Sequence, residues 1–363
     1  MSGSSTPSLA RRLRRTLRLA VLVAAAASFA AVGVAREPLP LCRRVVPESA
    51  PSIRWVAAAQ PTSAGDLQRW CSSVGPALFD AHAADPQGSR VDALMIVSWN
   101  VHVGAGDVDG LVERLQRGDF TDGRAVHDFV LLLQEEFRAG DDVPAVLPRG
   151  FRPPSRIAPS LTGRTRRDVH ALDEAHRWTL FYVPSMRNGG VVRPVEDRGN
   201  AIVSTLRLED PTAVELPLER QRRVAIAATI HGRTADGAAW TLRLVDVHLD
   251  TALALLNGGP FAARRRQAEA LVSAVGGDAA ALVAGDFNTW RASEPALRVL
   301  EHALPLSDAT ARPPQVRPTF DGPLGWHPVL DHVFARGVRG IRVRRLDDRF
   351  GSDHYPLLVE VRF

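Results

Sequence analysis

The chain changes its pattern of apolar and polar positions near residue 91. From Val91 onwards, short apolar runs of strand length alternate with segments in which apolar residues recur at helical spacing. The runs that predict strands are Ala93–Val103, Phe129–Leu133, Trp178–Val183, Ala201–Leu206, Arg223–Ile230, Trp240–His248, Ala281–Ala284, Val329–Phe334, Ile341–Arg345 and Leu357–Val361. The helical spacings predict helices over Asp107–Arg117, with Asp107 as a capping residue, over Phe261–Val275 and near Glu294–Leu300.

This order of elements favours packed sheets with few helices. Many strands alternating with occasional helices are typical of a mixed α/β or α+β sandwich. Residues 91–363 have the length of one domain. Residues 36–90 are rich in Pro, Ser and Ala instead, and we interpret them as a linker or N-terminal extension with a short helix near Gly65–Phe79.

The N-terminal segment has the pattern of a secretory signal. Residues 1–35 contain five Arg and no acidic residue, and include the apolar run Leu19–Val34. A basic start, a short apolar run and small residues up to Ala35 are typical of a signal peptide, and the run is shorter than the roughly 20 residues of a membrane span. We therefore expect an exported protein, periplasmic or secreted. The alternative is an uncleaved N-terminal anchor facing outside, which is the only membrane contact that we expect.

Charge excludes some classes of site and indicates little else. All 45 basic residues are Arg, and the absence of Lys excludes a Schiff-base lysine and a Walker-type phosphate loop. The net charge of +5 does not indicate nucleic-acid binding by itself, because residues 1–35 carry five Arg and no acid, so the remainder has a net charge of zero.

We expect a monomer.

The two cysteines, Cys42 and Cys71, lie just after the proposed signal. An even number of cysteines in an exported chain predicts a disulfide, and two unpaired thiols are the alternative. The chain contains no C-x-x-C or H-E-x-x-H motif, so its sequence gives no support for zinc.

The stretch 138–167 contains seven Arg and two acidic residues. Such a stretch is either a loop that meets a polyanion or a solvated loop in an Arg-biased protein, and the sequence leaves both interpretations open.

Polar side chains stand at the ends of several predicted strands, where sites are commonly built over a packed scaffold. These positions are Asn100, Gln134-Glu135, His248, Asp286 with Asn288, Asp331, and Asp353-His354. Oxygen ligands with two histidines suit Mg²⁺ or Mn²⁺ and phosphate oxygens rather than zinc. Phosphoryl chemistry needs such a combination, in which a cation neutralises developing charge and another group activates water.

Each position alone has an ordinary interpretation as a cap, an Asx turn or a core histidine. Together they resemble the endonuclease/exonuclease/phosphatase superfamily, which has the deoxyribonuclease I-like fold. The matching stretches, in family order, are Ser98–Val101, Leu132–Glu135, Arg198–Ser204, Asp246–Leu249, Gly285–Asn288, Leu330–Val333 and Ser352–Leu357. The resemblance covers nearly all of residues 91–363 and implies a four-layer α/β/β/α sandwich that cleaves a phosphoester with a divalent metal.

The resemblance also implies a metal-binding set. Glu135 resembles the principal metal ligand, with Asn100 beside it, and Asp286 and Asp353 complete the expected set. Glu135 and Glu136 are adjacent, so on a strand they would face opposite ways, and the Gln-Glu match favours Glu135.

The remaining site residues have expected catalytic roles. By resemblance, Asp286 orients or activates water and Asn288 hydrogen-bonds a phosphoryl oxygen. His354 is the general base or a phosphate-binding group, and Asp353 fixes its tautomer.

Three further residues are expected around this centre. His248 contacts the phosphate or assists the leaving oxygen, and Asp331 supports the neighbouring hydrogen bonds. His102 follows Asn100 by two residues and either reaches the site or lies at its rim.

The substrate is not decided by these motifs, because related scaffolds cleave nucleic acids, lipids and nucleotide esters. The Val247-His248-Leu249 stretch resembles the deoxyribonuclease and lipid-phosphodiesterase branches. We expect an exported endonuclease that acts on nucleic acid. The alternatives are an exported lipid phosphodiesterase of the sphingomyelinase type, a phosphatase, and a binding module without catalysis.

Overall fold

The computed structural model describes residues 40–44, 53–57, 64–81, 91–153, 166–188, 195–251, 258–275, 277–307 and 317–363. The predicted signal segment, residues 1–35, and the middle of the Arg-rich stretch, residues 154–165, lie outside this part of the chain. No helix within it is long and apolar enough to cross a bilayer.

Two seven-stranded sheets form the frame of the described chain. In chain order the strands are β1 Arg54–Ala57, β2 Leu78–Asp80, β3 Ala93–Asn100, β4 Phe129–Ala139, β5 Thr179–Asn188, β6 Glu196–Ser204, β7 Glu209–Glu215, β8 Val224–Arg233, β9 Ala239–His248, β10 Ala281–Asp286, β11 Leu306–Ser307, β12 Asp331–Arg336, β13 Gly340–Arg345 and β14 Leu357–Arg362. The first sheet has the order β1-β7-β8-β9-β10-β12-β11, and the second has the order β13-β14-β3-β4-β6-β5-β2.

Five α-helices and two short 3-10 turns accompany the sheets in the described residues. The helices are α1 Ala64–Ser72, α2 Val108–Arg117, α3 Val169–His176, α4 Gly259–Val275 and α5 Pro295–Ala303, and the 3-10 turns are Pro40–Arg43 and Pro323–Gly325.

The apolar clusters show how these elements stack. The cluster between the sheets contains Ile96 and Leu132 of the second sheet and Ile226 and Leu244 of the first. A second cluster joins the outer face of the second sheet to α2 and α3, and a third joins the outer face of the first sheet to α4 and α5. This confirms the predicted four-layer α/β/β/α sandwich.

Local sequence explains the helix α2 well. The carboxylate of Asp107 accepts a hydrogen bond of 3.0 Å from the backbone N–H of Gly110, as the capping prediction requires. Leu111 and Leu115 lie on its buried face, and Gly118 ends the helix with a positive φ of 85°, a conformation that glycine adopts without strain.

Several predicted boundaries differ from the structure. The strand predicted over Ala93–Val103 ends at Asn100, and a turn follows. The helix predicted near Gly65–Phe79 ends at Ser72, and Leu78–Asp80 forms a strand instead. The strand predicted over Phe129–Leu133 continues to Ala139, so Gln134 and Glu135 lie within it rather than at its end.

The predicted linker, residues 36–90, supplies an edge strand to each sheet within its described part. β1 pairs in parallel with β7, and β2 pairs in antiparallel fashion with β5. The disulfide between Cys42 and Cys71 is present and fastens the 3-10 turn Pro40–Arg43 to α1. The described residues of this segment therefore form an N-terminal extension that is part of the fold.

Candidate active site

Strand register brings the predicted polar residues to one end of the sandwich. In the second sheet β3 and β4 are parallel, and Asn100 lies opposite Gln134. In the first sheet β9 and β10 are parallel, so His248 at the end of β9 lies opposite Asp286 at the end of β10. Asp331, which begins the antiparallel strand β12, lies on the other side of Asp286.

Asp286 is the centre of this constellation. Its Oδ2 atom accepts a hydrogen bond of 3.0 Å from Asn100 Nδ2. The same oxygen lies 3.4 Å from His248 Nε2 and 3.7 Å from His354 Nε2. Because Asn100 belongs to the second sheet and His248 to the first, the site spans the junction of the two sheets.

His354 is held by a carboxylate other than the one predicted. Its Nδ1 atom lies 2.9 Å from Asp331 Oδ2, with both side chains buried. Asp353 pairs instead with His102, whose Nδ1 lies 3.2 Å from Asp353 Oδ1. The expectation that Asp353 fixes the tautomer of His354 is therefore wrong, because Asp331 makes that contact. His102 lies at the rim, where its side chain is 17% exposed.

The backbone around His354 is fixed as well. Ser352 Oγ accepts a hydrogen bond of 3.0 Å from the backbone N–H of His354 and donates one of 2.6 Å to the carbonyl oxygen of Asn100. Trp99 Nε1 donates to the carbonyl oxygen of His354 over 3.1 Å. The Ser-Asp-His turn is thus tied to the end of β3, which positions the imidazole over Asp286.

Burial and neighbouring charges shift the pKa values of three site residues in different directions. Burial raises the pKa of Asp286 to about 6, and the charge of His354 opposes this rise. Burial lowers the pKa of His354, but the carboxylates of Asp331 and Asp286 outweigh it and raise that pKa to about 10. Burial and the charge of Arg223 hold the pKa of His248 well below its usual range, so His248 is neutral at pH 7.

A β-bulge presents Glu135 to the site. The register of β4 against β6 shifts between Gln134 and Glu136, and Glu135 has a positive φ of 56°. Glu135 Oε2 lies 3.6 Å from Arg198 Nη1, and its charge acts on His248. Strained backbone of this kind is often found at functional sites.

Glu136 faces away from this centre, as the sequence predicts. Its Oε1 atom accepts a hydrogen bond of 3.0 Å from the backbone N–H of Phe137, and its side chain is fully buried. Burial raises the pKa of Glu136 to about 8, so it is mostly protonated at neutral pH.

Asn288 adjoins Asp286 but uses its amide within the protein. Its backbone N–H donates to Asp286 Oδ1 over 2.8 Å, and its Nδ2 donates to the carbonyl oxygen of Leu249 over 2.9 Å. Its expected hydrogen bond to a phosphoryl oxygen stays a prediction.

Two buried arginines next to the site were not assigned a role from sequence. Arg198 lies beside Glu135, and the charge of Arg223 acts on His248. Both side chains are at most 4% exposed. Arg198 could have been found from sequence, because it begins the matching stretch Arg198–Ser204. Arg223 lies in no matching stretch.

The residues at this centre fit a hard divalent cation. Ligand atoms of Asp286, Asp331 and His354 lie within 4.8 Å of one another, and Asp331 Oδ1 is buried without a hydrogen-bond partner among the described residues. Glu135 adds a carboxylate whose charge acts on His248. Asn100 adds an amide whose Nδ2 faces Asp286 and whose Oδ1 accepts a hydrogen bond from the backbone N–H of His102. Carboxylate and amide oxygens are the ligands that Mg²⁺ and Mn²⁺ prefer.

The Arg-rich stretch is largely structural where it is described. Arg138 is fully buried, with Nη2 at 2.7 Å from Asp197 Oδ2. Arg166 pairs with Glu196, and Arg167 pairs with Asp109. These contacts favour the second interpretation of the stretch, an Arg-biased segment without a polyanion, for three of its arginines.

Comparison with known proteins identifies the family of the chain. The sequence model of the "Endonuclease/Exonuclease/phosphatase family" matches residues 97–354. No curated protein sequence matches the chain.

Several solved structures resemble the chain at low sequence identity. An endonuclease/exonuclease/phosphatase from Beutenbergia cavernae is 17% identical, with 75% of this chain and 72% of that chain covered and a TM-score of 0.47. A 3′ phosphatase from Neisseria bound to a product DNA hairpin is 17% identical, with 74% and 99% covered and a TM-score of 0.43. Sphingomyelinase C from Streptomyces griseocarneus is 17% identical, with 75% and 99% covered and a TM-score of 0.43.

Proposed function

Because the chain belongs to the endonuclease/exonuclease/phosphatase family, and is therefore a phosphoesterase with the deoxyribonuclease I-like fold, we propose that it is a divalent-metal-dependent phosphodiesterase, and specifically an exported endonuclease. The observation that carries this proposal is the placing of Asp286 Oδ2 within 3.7 Å of Asn100, His248 and His354, with Asp331 behind His354. Two histidines around one buried carboxylate supply groups on both sides of a phosphate.

A bound Mg²⁺ or Mn²⁺ would neutralise charge on the phosphoryl oxygens, and Glu135, Asn100 and Asp286 are the residues that would hold it. Asp353, the fourth expected ligand, pairs with His102, and its place in the metal set stays a prediction.

The chain's own residues supply the proton chemistry. Asp331 holds His354 Nδ1, which directs Nε2 towards Asp286. When water attacks the phosphorus, the water loses a proton to the Asp286–His354 pair, whose Oδ2 and Nε2 atoms lie 3.7 Å apart. The bond from phosphorus to the leaving ester oxygen breaks, and that oxygen takes up a proton from the same pair, which returns the pair to its starting state.

His248 serves a different purpose because it is neutral. A neutral imidazole with its Nε2 near Asp286 donates a hydrogen bond without adding a charge, which suits a contact to a phosphate oxygen. Burial, and after it the charge of Arg223, lowers the pKa of His248 and keeps the imidazole neutral.

Export is supported by two features. Residues 1–35 have the pattern of a signal peptide, and the disulfide Cys42–Cys71 belongs to the kind of bond that persists in oxidising compartments. Both fit a nuclease that acts outside the cytoplasm.

A lipid phosphodiesterase is the second candidate. Leu324 is fully exposed and Trp326 is 47% exposed in the loop that also carries Phe320 against the ring of His354. Exposed apolar side chains beside a site are suited to a lipid headgroup layer.

A substrate panel distinguishes these functions. Purified mature protein with Mg²⁺ would be given supercoiled plasmid, sphingomyelin vesicles and a nucleoside monophosphate in parallel. The proposal expects nicked plasmid, with activity abolished by EDTA. Release of phosphocholine without nicking would replace the nuclease assignment by the lipid one.

A further inference from the structure

A groove of about 840 Å³ opens beside the turn that carries His354. Ser352 and Tyr355, which flank Asp353 and His354, lie in its wall. The cationic residues that line it are Arg114, Arg317, Arg344, Arg345 and Arg349. Three aspartates also line it, so the groove has an excess of two positive charges.

The arginines of this groove are held in place by the protein. The guanidinium of Arg345 stacks over the ring of Tyr355 at 3.9 Å, and that of Arg349 lies 5.6 Å from the same ring. Arg317 Nη2 lies 2.5 Å from Asp347 Oδ1, and Asp347 is itself 81% exposed. A phosphate approaching from solvent therefore meets guanidinium groups that are already oriented.

An aromatic pair lies on another side of His354. The ring of Phe320 is 4.8 Å from the imidazole, and the ring of Trp326 is 5.6 Å from Phe320 in an edge-to-face arrangement. Asp321 joins this pair to the groove, since its backbone N–H donates to the carbonyl oxygen of Asp353 and its carboxylate lies 2.6 Å from Arg349 Nη1.

We propose that the arginine groove and the Phe320–Trp326 pair form one binding track for a single strand of nucleic acid, which crosses His354 between them. This inference rests on the proposed function and names its substrate class. Held cations that follow a phosphate backbone, together with a half-exposed aromatic ring that can stack on an unpaired base, are the two elements of single-strand recognition.

A lipid surface suits these observations less well. The arginines line a groove that also contains aspartates, whereas a membrane-docking loop carries its cations around the apolar tip and faces a broad anionic surface. The phosphates of a nucleic-acid strand have the charge to replace the exposed Asp347 as partner of Arg317.

The first test measures the electrostatic half of the track. A fluorescein-labelled oligothymidylate would be titrated with the protein in EDTA, and its anisotropy followed at several salt concentrations. The double variant R317Q/R344Q should reduce the slope of log K against log salt concentration by about 1.4, since each phosphate contact on a single strand contributes about 0.7. The double variant R265Q/R298Q removes the same charge from α4 and α5, which cover the other sheet, and should leave the slope unchanged.

The second test separates a base from a lipid as the partner of the aromatic pair. Trp326→Ala should weaken oligothymidylate binding roughly 5- to 150-fold, the range expected for one lost base–aromatic stack. Leu324→Ala should have no effect on it. The inference would be overturned in favour of a membrane by two results together. The wild type would bind no oligonucleotide, and Trp326→Ala and Leu324→Ala would weaken binding to anionic phosphatidylserine vesicles to a similar extent.

Failure of the track can be distinguished from failure of the proposed function. The control variants R265Q/R298Q and Leu324→Ala should hydrolyse bis(4-nitrophenyl) phosphate with Mg²⁺ at the wild-type rate, because their substituted residues lie outside the track. If the wild type hydrolyses the small ester and the variants R317Q/R344Q and R265Q/R298Q have equal affinity for the oligonucleotide, the track is rejected. The proposed phosphodiesterase function is then still supported. Loss of small-ester hydrolysis by the wild type would reject the proposed function, while the anisotropy result would still decide the track.

Discussion

His354 Nδ1 and Asp331 Oδ2 lie 2.9 Å apart, and this contact joins a strand of the first sheet to a turn that leads into the second. Asp331 begins β12 of the first sheet, and His354 lies in the turn that leads into β14 of the second. The dyad therefore forms only when the two sheets pack in their native arrangement. Its geometry couples the fold to the chemistry, since the orientation of the imidazole depends on the position of both layers.

Asp331→Asn should lower kcat for phosphodiester hydrolysis by more than tenfold, because the asparagine no longer stabilises the positively charged imidazole. Asp353→Asn serves as the comparison, since Asp353 Oδ1 pairs with His102 Nδ1, whereas Asp331 Oδ2 lies 2.9 Å from His354 Nδ1. Steady-state kinetics of both variants would check this. A larger loss in Asp353→Asn would restore the assignment made from sequence.

Glu135→Gln should weaken Mg²⁺ binding at least about tenfold, because a neutral amide replaces a carboxylate in the proposed ligand set. Glu136→Gln is the matched control, since Glu136 faces away and is mostly neutral at pH 7. Isothermal titration calorimetry with MgCl₂ measures both. Equal Mg²⁺ affinity in the two variants would show that Glu135 is not a ligand.

Asp246→Asn should flatten the pH dependence of stability. Burial raises the pKa of Asp246 well above its usual range, while Gln134 Nε2 donates to its Oδ1 over 2.6 Å. The pKa of Asp246 is higher in the folded protein than in the unfolded chain, where it is about 3.8. Its contribution to the free energy of unfolding is therefore complete below about pH 3.8. It is lost as the pH rises towards the folded pKa, by up to about 1.4 kcal/mol per pH unit. Urea unfolding at pH 5 and pH 8 should show a smaller difference in the variant. An unchanged difference would mean that Asp246 is ionised in the folded protein.

Replacing both cysteines should destabilise the fold without changing the site. The disulfide joins residues 29 positions apart, which corresponds to about 3–4 kcal/mol in the chain-entropy model. The variant C42S/C71S should therefore unfold at a lower urea concentration and keep its activity on bis(4-nitrophenyl) phosphate. If C42S/C71S unfolds at the same urea concentration as the wild type, β1, β2 and α1 do not depend on the disulfide for their stability.

The sequence predicted which residues come together at the candidate site better than it predicted the contacts between them. Asn100, His248 and Asp286 each end an apolar run, and such runs mark strand ends in any sheet. The choice between Asp331 and Asp353 as partner of His354 depends on the pairing of β10 with β12, which is a tertiary contact without a local signal. The adjacent carboxylate was the natural sequence-based choice, and it was wrong.

Other differences have equally specific causes. β4 is buried on both faces, so its continuous apolar run hides the bulge that presents Glu135. No strand was predicted over β7. It contains Pro211, which argues against a strand, and the structure accommodates this proline at a register shift between Glu209 and Thr212. The buried arginine Arg223 cannot be told from the many exposed ones in a chain with 45 Arg.

The most direct test of the account is hydrolysis of bis(4-nitrophenyl) phosphate by wild-type protein and by His354→Ala, each with Mg²⁺ and with EDTA. The account predicts wild-type turnover that EDTA abolishes, and a loss of about 10²- to 10⁴-fold in the variant, the usual contribution of a positioned proton-transfer group. Circular dichroism would confirm that the variant is folded. Turnover in His354→Ala within about threefold of wild type would contradict the assignment of the Asp286–His354 pair as the catalytic centre.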